Sequence, residues 1–351
     1  MAVVNFPIEH EPRGWEDIKN QDVIVRQIRR MIQTERWAPS LFFCGSSGVG
    51  KTATVRLMIR AAHCLNRQPG EDQPCGHCSV CRSDPMESSS LNNVVWVKAS
   101  SRESSESDKL VSYESQIKEA FTYAERGPIK SKESHRDVLF VVFDECHLMP
   151  DSLRQRALAF ADVMKPINGD VVLVFITMQQ ERIQKTPYLA MTSRGRYLKF
   201  NTPTEIQIQE YLTQTFPQCP FESAQIIARA ANRSYRSAVQ IYRTCVEEDA
   251  YVSPKMVTDL LRITDKSHRD ALWLKIIHKE PLAEIKRYFE ELTLATEPSL
   301  LMQQMYEDVL DNLEQFEREQ TLSLGRIFHE YFKDPTLYNA IYVLFELSEQ
   351  F

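Results

Sequence analysis

The stretch GSSGVGKT at residues 45–52 fits the pattern G-x-x-x-x-G-K-[ST], which is typical of loops that bind polyphosphates. An apolar, strand-sized run at residues 41–44 precedes it, and a helical pattern follows it. Glycines let backbone N–H groups surround phosphate oxygens, and the N-terminal end of the following helix adds a favourable dipole. The alternative, a glycine-rich turn that carries Lys-Thr by chance, is disfavoured by this context. The stretch therefore predicts an α/β domain with a nucleoside triphosphate site.

The residues of this loop have different expected roles. Lys51 is expected to reach the β- and γ-phosphates and to act in hydrolysis, and Thr52 is expected to hold Mg²⁺. The backbone of the loop is expected to surround the phosphates. The nucleotide-binding residues predicted in this way are Gly45, Ser47, Gly48, Val49, Gly50, Lys51 and Thr52.

A second motif lies at the end of the apolar run at residues 138–143, where Asp144 and Glu145 follow. By itself an acidic pair after a strand is more often a solvated loop, but beside a phosphate loop it predicts magnesium-dependent hydrolysis. Asp144 would complete the Mg²⁺ shell, and Glu145 would orient and polarise the attacking water. His147 is expected to be structural. Thr177 ends another apolar run, where a polar side chain could sense the γ-phosphate, a weaker signal.

Short apolar runs alternate with helical patterns between residues 41 and 200. Runs that are almost continuously apolar are typical of strands buried on both faces of a parallel sheet. The alternation therefore predicts a doubly wound, parallel five-stranded sheet, after which only helical patterns follow. The five predicted strands are residues 41–44, 93–97, 138–143, 171–177 and 196–200.

Four of the eight cysteines lie close together in the sequence, at Cys64, Cys75, Cys78 and Cys81. In a chain without a secretory signal, such a cluster favours a metal over disulfides. Four thiolates can close a tetrahedral Zn²⁺ site and leave no open position for a substrate, so the predicted site is structural. Two alternatives stay open: His63 or His77 could replace one thiolate, or the cysteines could be unliganded in a flexible insert.

The composition of the 351-residue chain excludes several classes of protein. The net charge of −6 argues against binding to nucleic acid through bulk positive charge, so any contact with DNA needs a local patch. No apolar run approaches the roughly 18 residues of a membrane helix. The N-terminus lacks the basic flank and long apolar stretch of a signal peptide. These features predict a cytoplasmic protein with no membrane partner.

Taken in order, the motifs resemble those of the AAA+ clamp-loader ATPases, in particular the bacterial DNA polymerase III gamma/tau subunits. The sequence WEDIKNQ at residues 15–21 resembles a motif that lies by the adenine in that family. The four cysteines resemble its zinc module. The sequences ASSR at residues 99–102, SRG at residues 193–195 and SYR at residues 234–236 resemble three further motifs. The resemblance extends over about residues 12–250.

The resemblance implies that ATP is the nucleotide, and it assigns roles to further residues. Arg194 would be an arginine finger donated in trans to ATP on a neighbouring subunit, a group worth roughly 10³–10⁵ in rate. Arg236 would contact the nucleotide in cis, and Thr177 would be the sensor beside the γ-phosphate. Ser101 and Arg102 would touch the phosphates of primer–template DNA.

The resemblance also implies domains and partners. Residues 1–202 would be an AAA+ nucleotide-binding domain with a zinc-binding insert at about residues 62–86. Residues 203–265 would be a small helical lid domain, and residues 266–351 an all-helical collar domain for oligomerisation. The implied partners are other clamp-loader subunits in a ring or spiral, a pentamer by this resemblance, together with primer–template DNA and the sliding clamp. The helix around residues 116–124 would face the clamp.

The sequence departs from the family pattern at three places. Gly195 stands where the family has cysteine. The gap between the first two cysteines of the zinc module is two residues longer than in the family. Before the SYR sequence, Asn232 and Arg233 stand where small residues are usual.

Two rival functions fit parts of the sequence. One is an AAA+ nucleotide-gated regulator that assembles on DNA, or a helicase-loader-like switch, in which ATP binding matters more than hydrolysis. The other is a stator-like subunit that no longer hydrolyses ATP. The position of the cysteine cluster argues against the first, and the intact sequences GKT and Asp-Glu argue against the second.

Overall fold

The computed structural model describes residues 12–86, 93–98, 106–129, 138–163, 170–178, 195–249, 251–261, 266–293, 296–312, 314 and 318–350. The chain divides into two compact units. The first comprises residues 1–215 and 231–243, and the second comprises residues 216–230 and 244–351.

The first unit is built on a sheet of five described strands in the order β2-β3-β4-β1-β5, and every pairing is parallel. All seven residues of β3 are buried, as expected for a strand that is covered on both faces of the sheet. The predicted parallel five-stranded sheet is therefore confirmed. The strands are β1 Ser40–Cys44, β2 Val94–Lys98, β3 Val138–Asp144, β4 Asp170–Thr177 and β5 Arg196–Lys199.

The register of the strands brings their carboxyl ends to one edge of the sheet. Cys44 at the end of β1 pairs with Thr177 at the end of β4. Lys98 at the end of β2 pairs with Asp144 at the end of β3. The loops that follow these strands therefore emerge side by side. In open α/β sheets, ligands bind at this edge.

Two apolar clusters cover the two faces of the sheet. Adjacent residues of β1 alternate between them, with Phe43 in one cluster and Phe42 in the other. The rings of Phe42, Phe175 and Phe143 stack across three neighbouring strands, with centroids 4.8 and 5.2 Å apart. Burial of one such side chain contributes about 1.5–3 kcal/mol, so this stack fixes the strands whose ends carry the site.

Fourteen α-helices lie in the described ranges, most of them in the second half of the chain. Within those ranges, none is both long and apolar enough to reach across a bilayer. The helices are α1 Asp22–Thr34, α2 Lys51–His63, α3 Ser79–Arg82, α4 Glu106–Arg126, α5 Asp151–Val163, α6 Glu205–Thr215, α7 Phe221–Ala230, α8 Tyr235–Glu248, α9 Pro254–Leu260, α10 Lys266–Ile277, α11 Leu282–Thr293, α12 Pro298–Asp311, α13 Arg318–Tyr331 and α14 Leu337–Gln350.

The second unit is helical throughout its described elements and has its own core. The amphipathic stripe of α11 faces this core, because Ile285 and Phe289 are fully buried and Leu292 packs against it. The guanidinium of Arg269 on α10 donates two hydrogen bonds of 2.9 Å to the carboxylate of Asp308 on α12. Apolar burial and this paired charge together fix the helices of the unit to one another.

Candidate nucleotide-binding site

The first unit contains a cleft of about 490 Å³ at the edge where the strands end. Its wall is formed by the loop between β1 and α2, the acidic end of β3 and the first turns of α8. The cleft thus brings together most of the residues that were predicted to bind nucleotide. It is lined by Pro12, Asp17, Ile18, Lys19, Ser47, Gly48, Val49, Gly50, Lys51, Thr52, Ala53, Asp144, Glu145, Ile176, Met178, Tyr211, Tyr235, Arg236, Val239, Gln240 and Arg243.

Two glycines shape the loop between β1 and α2. Gly50 has φ +98°, which glycine adopts without strain, and its carbonyl accepts the N–H of Thr54 at 2.9 Å as α2 begins. Gly48 has φ +72°, and a Cβ there would overlap the hydroxyl of Ser234 and lie 3.2 Å from the Cβ of Arg236. The loop therefore lies directly against the start of α8. This contact explains how Arg236 comes to line the cleft.

Lys51 is the first residue of α2, and its ammonium group is turned back onto the loop. Nζ donates hydrogen bonds to the carbonyls of Gly45 at 2.8 Å and Ser46 at 2.6 Å. Burial lowers the pKa of Lys51 to about 8, although the carboxylate of Glu145 acts in the opposite direction. The negative charge of a bound polyphosphate would stabilise the protonated form of this desolvated amino group.

Asp144 ends β3 and is 5% exposed. Burial raises the pKa of its carboxyl group, Glu145 raises it further, and Lys98 acts against both. Its side chain accepts the N–H of Glu145 at 3.1 Å, and its carbonyl accepts the hydroxyl of Tyr113 at 2.9 Å. A divalent cation would relieve the repulsion between the adjacent carboxylates. Because Thr52 lines the same cleft, the oxygen donors available there fit Mg²⁺.

Glu145 follows β3 directly and has a left-handed φ of +55°. Its Oε2 lies 3.3 Å from Nδ1 of His147, and the same nitrogen lies 3.4 Å from Oγ1 of Thr177. The sequence indicates only a structural role for His147. The structure places it between the residue predicted to orient water and the predicted γ-phosphate sensor. Thr177 is the last residue of β4 and is fully buried, and the residues on either side of it, Ile176 and Met178, line the cleft.

Part of the cleft wall is apolar and aromatic. It includes Ile18 together with the rings of Tyr211 and Tyr235, whose centroids are 5.0 Å apart. Asp17 lies near Tyr211, where its charge adds to the effect of burial in raising the pKa of that phenol. An aliphatic and aromatic wall of this kind suits the base of a nucleotide, because a base offers flat apolar faces.

Gln21 joins the N-terminal segment to the sheet. Its side-chain amide donates to the carbonyl of Asn201 and accepts the N–H of the same residue, both at 2.9 Å. Asn201 lies just after β5, and Gln21 is 1% exposed. A side-chain amide can both donate and accept, which explains why a glutamine fits at the end of the sequence WEDIKNQ.

The four cysteines predicted to bind zinc form a compact cluster in the first unit. Their sulfur atoms lie within 4.8 Å of one another, and Sγ of Cys75 lies 3.9 Å from Sγ of Cys81. Zn–S bonds of about 2.3 Å in a tetrahedron would separate the sulfur atoms by about 3.8 Å. The N–H groups of Cys78 and Cys81 donate to the sulfur atoms of Cys75 and Cys78 at 3.3 and 3.4 Å. The donor set and its spacing therefore fit Zn²⁺.

The thiols of this cluster differ in pKa. Desolvation acts to raise the pKa of Cys75, but the N–H groups of His77 and Cys78 outweigh it and lower that pKa to about 6. Burial raises the pKa of Cys64 and of Cys81. A bound dication would favour the thiolate form of all four residues, so metal binding would release protons.

The two histidines considered as alternative ligands make other contacts. Nε2 of His63 lies 3.0 Å from the carbonyl oxygen of Val138, and Nδ1 of His77 lies 2.7 Å from the carbonyl oxygen of Cys75. In the part of the chain that the structure describes, the candidate metal-binding group consists of the four cysteines.

Three predicted site residues lie outside the described residues: Arg194, the predicted finger, and Ser101 and Arg102, the predicted DNA contacts. Their roles stay predictions. Gly195, the residue after the predicted finger, is described and lies against β1. A Cβ at this position would overlap the side-chain hydroxyl and the carbonyl of Ser40, which is fully buried. This close approach explains why cysteine does not fit here.

Comparison with known proteins connects these motifs to subunits of DNA polymerase III. The family model described as DNA polymerase III, delta subunit, matches residues 20–141. The DNA polymerase III subunit tau/gamma of Haemophilus influenzae is 23% identical over 266 residues, 73% of this chain. The DNA polymerase III subunit gamma of Buchnera aphidicola from Acyrthosiphon pisum is 25% identical over 276 residues, 77% of this chain. Over about three quarters of its length the chain is thus similar to gamma and tau/gamma subunits of DNA polymerase III.

The chain covers only part of some of the proteins that it matches. It spans 34% of the Haemophilus protein and 69% of the Buchnera protein. The protein STICHEL-like 1 of Arabidopsis thaliana is 24% identical over 319 residues, which is 88% of this chain and 26% of the plant protein. The chain therefore spans about a quarter to a third of the length of two of these relatives.

Solved structures were also found that align with most of the chain. The RuvB Holliday junction branch migration motor of Thermotoga maritima has a TM-score of 0.45 at 14% identity, over 79% of this chain and 84% of that chain. The Aeropyrum pernix ORC1 protein, solved in complex with DNA, has a TM-score of 0.45 at 19% identity, over 79% of this chain and 78% of that chain.

Proposed function

We propose that this chain is the ATP-hydrolysing motor subunit of a DNA sliding-clamp loader, which opens the clamp and loads it at primer–template junctions. The observation that carries the proposal is the convergence of Lys51, Asp144, Glu145 and Arg236 on one cleft beside a loop of the polyphosphate-binding type. The relatives named as tau/gamma and gamma subunits of DNA polymerase III support the replication role. The proposed cofactors are ATP and Mg²⁺ in the cleft and Zn²⁺ at the four cysteines.

Each residue of the cleft has its own role in ATP hydrolysis. Bound ATP supplies the phosphoanhydride bond, and Mg²⁺ offsets the charge of its phosphates. Lys51 exchanges its contacts with the carbonyls of Gly45 and Ser46 for phosphate oxygens. Glu145 orients the attacking water and polarises its O–H bond. Arg236, on the first turn of α8, contacts the phosphates from the same chain.

Magnesium and the γ-phosphate depend on the ends of two strands and the start of α2. Asp144 and Thr52 hold the cation with their oxygen atoms, which makes the buried Asp144 carboxylate favourable in its charged form. Thr177, at the end of β4, couples the state of the γ-phosphate to His147 and through it to Glu145. The distances of 3.3 and 3.4 Å from His147 to these two side chains support that coupling.

The proposed partners are other clamp-loader subunits in a ring or spiral, the sliding clamp and primer–template DNA. Arg194 of each subunit completes the site of its neighbour, so entry of DNA into the assembly aligns the finger and triggers hydrolysis. Ser101 and Arg102 contact phosphates of the DNA, which positions the duplex without reading its sequence. The helix α4, around residues 116–124, faces the clamp.

We further assign the domains within this proposal. Residues 1–202 form the AAA+ domain, with the zinc-binding insert at about residues 62–86. Residues 203–265 form the lid, and residues 266–351 form the collar through which the subunits oligomerise. The subunit acts in the cytoplasm, where replication would supply its DNA and its clamp.

Steady-state ATP turnover tests the proposal. We expect turnover to rise strongly only when primer–template DNA and the cognate clamp are both present. The variant Arg194→Ala should lose the stimulated turnover and keep its affinity for ATP, whereas Arg196→Ala, at an exposed position of β5, should behave as the unmodified chain does. Full stimulated turnover in Arg194→Ala would contradict the assignment of Arg194 as the arginine finger. If turnover does not depend on the clamp, and a pull-down retains a helicase or a transposase, the alternative function of a nucleotide-gated regulator that assembles on DNA would be favoured.

A further inference from the structure

The loop between Cys64 and Cys75 is hydrogen-bonded to the segment that contributes Ile18 to the apolar wall of the cleft. The indole N–H of Trp15 donates a hydrogen bond of 2.9 Å to the carbonyl of Asp72, in a buried position. At the surface, the side chain of Gln73 donates to the carboxylate of Glu16 at 3.0 Å. The loop therefore contacts the start of the N-terminal segment 57 residues away in sequence.

Asp72 also fixes the loop to α1. It is 4% exposed, and its carboxylate accepts hydrogen bonds from Nε of Arg29, at 3.0 Å, and from the side-chain amide of Gln33. The two donors lie one helical turn apart on the same face of α1. A charge-assisted pair of bonds to a buried carboxylate holds the position of the residue, and with it the carbonyl that meets Trp15.

A short, internally bonded segment connects Trp15 to the cleft. Trp15 is 3% exposed, and its carbonyl accepts the N–H of Ile18 at 3.2 Å. The carboxylate of Asp17 accepts the N–H groups of Arg13 and Gly14 at 2.8 and 3.0 Å, which closes the turn. Asp17 and Ile18 then line the cleft. The contacts thus run without a break from Asp72, through Trp15, to the apolar wall.

The phosphate loop is held by different contacts. It begins at the end of β1, continues into α2, and lies against Ser234 at the start of α8. The loop that carries Asp72 therefore supports the wall that contains Ile18, together with the contact of Gln21 with Asn201, whereas the phosphate loop has no part in either contact. A change at Asp72 should disturb that wall more than it disturbs the phosphate loop.

We propose that Asp72 is a positioning residue for the nucleoside part of the bound nucleotide. Through Trp15 it holds the wall formed by Asp17 and Ile18, and so sets the affinity for the base without changing the affinity for the phosphates. The inference rests on the proposed function, because it requires that the cleft binds ATP. The insert would then have two roles: its cysteines hold Zn²⁺, and Asp72 acts in nucleotide binding.

Calorimetric titration with Mg-ATP and with magnesium tripolyphosphate tests this inference. Asp72→Ala removes the anchor on α1, and Trp15→Phe removes the indole N–H but keeps an aromatic ring in the core. Each variant should bind ATP about five- to tenfold more weakly, as expected when one or two supporting hydrogen bonds are lost, and should bind tripolyphosphate within about twofold of the unmodified chain. The control Glu71→Gln changes the exposed neighbour, whose carboxylate accepts the N–H of Gln68, and should change neither affinity.

Hydrogen–deuterium exchange of the nucleotide-free chain adds a second readout. The amides of Asp17 and Ile18 should exchange faster in both variants than in the unmodified protein. Unchanged ATP affinity in Trp15→Phe, or an equal loss of tripolyphosphate affinity, overturns the inference. Trp15→Phe decides the question even where Asp72→Ala does not fold. If the unmodified chain binds neither ligand, the proposed function itself is wrong, which is a different outcome from failure of this inference alone.

Discussion

Nδ1 of His147 lies 3.3 Å from Oε2 of Glu145, at the point where β3 ends and the cleft begins. The same nitrogen lies 3.4 Å from the hydroxyl of Thr177 at the end of the neighbouring strand. An imidazole in this place lies directly beside the carboxylate that is expected to orient water. We expect His147→Ala to lower the turnover number about tenfold or more, with the dissociation constant for ATP little changed.

Two further variants separate positioning from general damage to the fold. His147→Asn keeps a donor near the position of Nδ1 and should recover part of the lost turnover. His278→Ala changes an exposed histidine of the second unit and should leave turnover unaffected. Full activity in His147→Ala would show that the proximity of the two side chains has no role in the reaction.

The pKa of Lys51, which burial lowers to about 8, predicts how ATP affinity depends on pH. Phosphate binding requires the protonated ammonium group and raises its pKa in the complex, so affinity is full below pH 8 and is lost above it. We expect the association constant to fall by about tenfold per pH unit above pH 8, until the pKa of the complex is reached. Calorimetry between about pH 7 and pH 10 measures this slope.

Lys51→Arg is the matched control for that titration. Its guanidinium does not lose its proton in this range, so affinity should be weaker overall but flat with pH. A flat profile for the unmodified chain would contradict the assignment of a desolvated lysine at the phosphates.

The raised pKa of Asp144 predicts that this residue reduces stability when no cation is bound. The folded chain keeps the proton to a higher pH than the unfolded chain does, whose reference pKa is 3.8, so stability is lost as pH rises through the folded pKa. We expect Asp144→Asn, measured without Mg²⁺ near pH 7.5, to unfold at a higher temperature than the unmodified chain. Its binding of Mg-ATP should be strongly weakened. A lower unfolding temperature would contradict the unfavourable charge at this position.

The cysteine cluster predicts one tightly bound Zn²⁺ per chain. Cys78→Ser should lose the metal and unfold at a lower temperature, because structural zinc contributes directly to the free energy of folding. Cys245→Ala, a buried cysteine of the second unit, should keep its zinc. Elemental analysis of both purified variants decides the point, and equal zinc content in the two would rule the cluster out as the site.

The sheet could be predicted from the sequence because its strands are almost continuously apolar. The structure confirms all five to within one residue at each end, as in β3, which was expected over residues 138–143 and runs over Val138–Asp144. The helices α9 and α10 are among those that were not predicted individually. The first has only seven residues, although Ser253 caps it through the N–H of Met256 and a proline follows at its first turn. That capping signal could have identified it.

The helix α10 shows why a periodic pattern of apolar residues is sometimes absent from the sequence of a helix. On α10, Leu272 and Ile276 are buried, but Leu274 and Ile277 are 53% and 42% exposed. Its apolar residues therefore do not form one stripe, and its position depends on contacts with other helices. Tertiary packing, and not local propensity, decides such an element.

The residues of the site likewise fall into those that the sequence predicts and those that only the folded structure reveals. Lys51, Asp144 and Glu145 could be predicted because each belongs to a short motif with a known chemical role. His147 and Asp72 could not, since their contacts are decided by the folded chain. The bond between Trp15 and Asp72 joins residues 57 positions apart, and no local pattern in the sequence records such a contact.

Titration of Mg-ATP into the purified chain tests the central claim most directly. The account predicts one nucleotide bound per chain in the unmodified protein and loss of binding in Lys51→Ala, with both proteins equally folded by circular dichroism. An unmodified chain that binds no ATP at saturating concentration, or a Lys51→Ala variant that binds it equally well, would contradict the account.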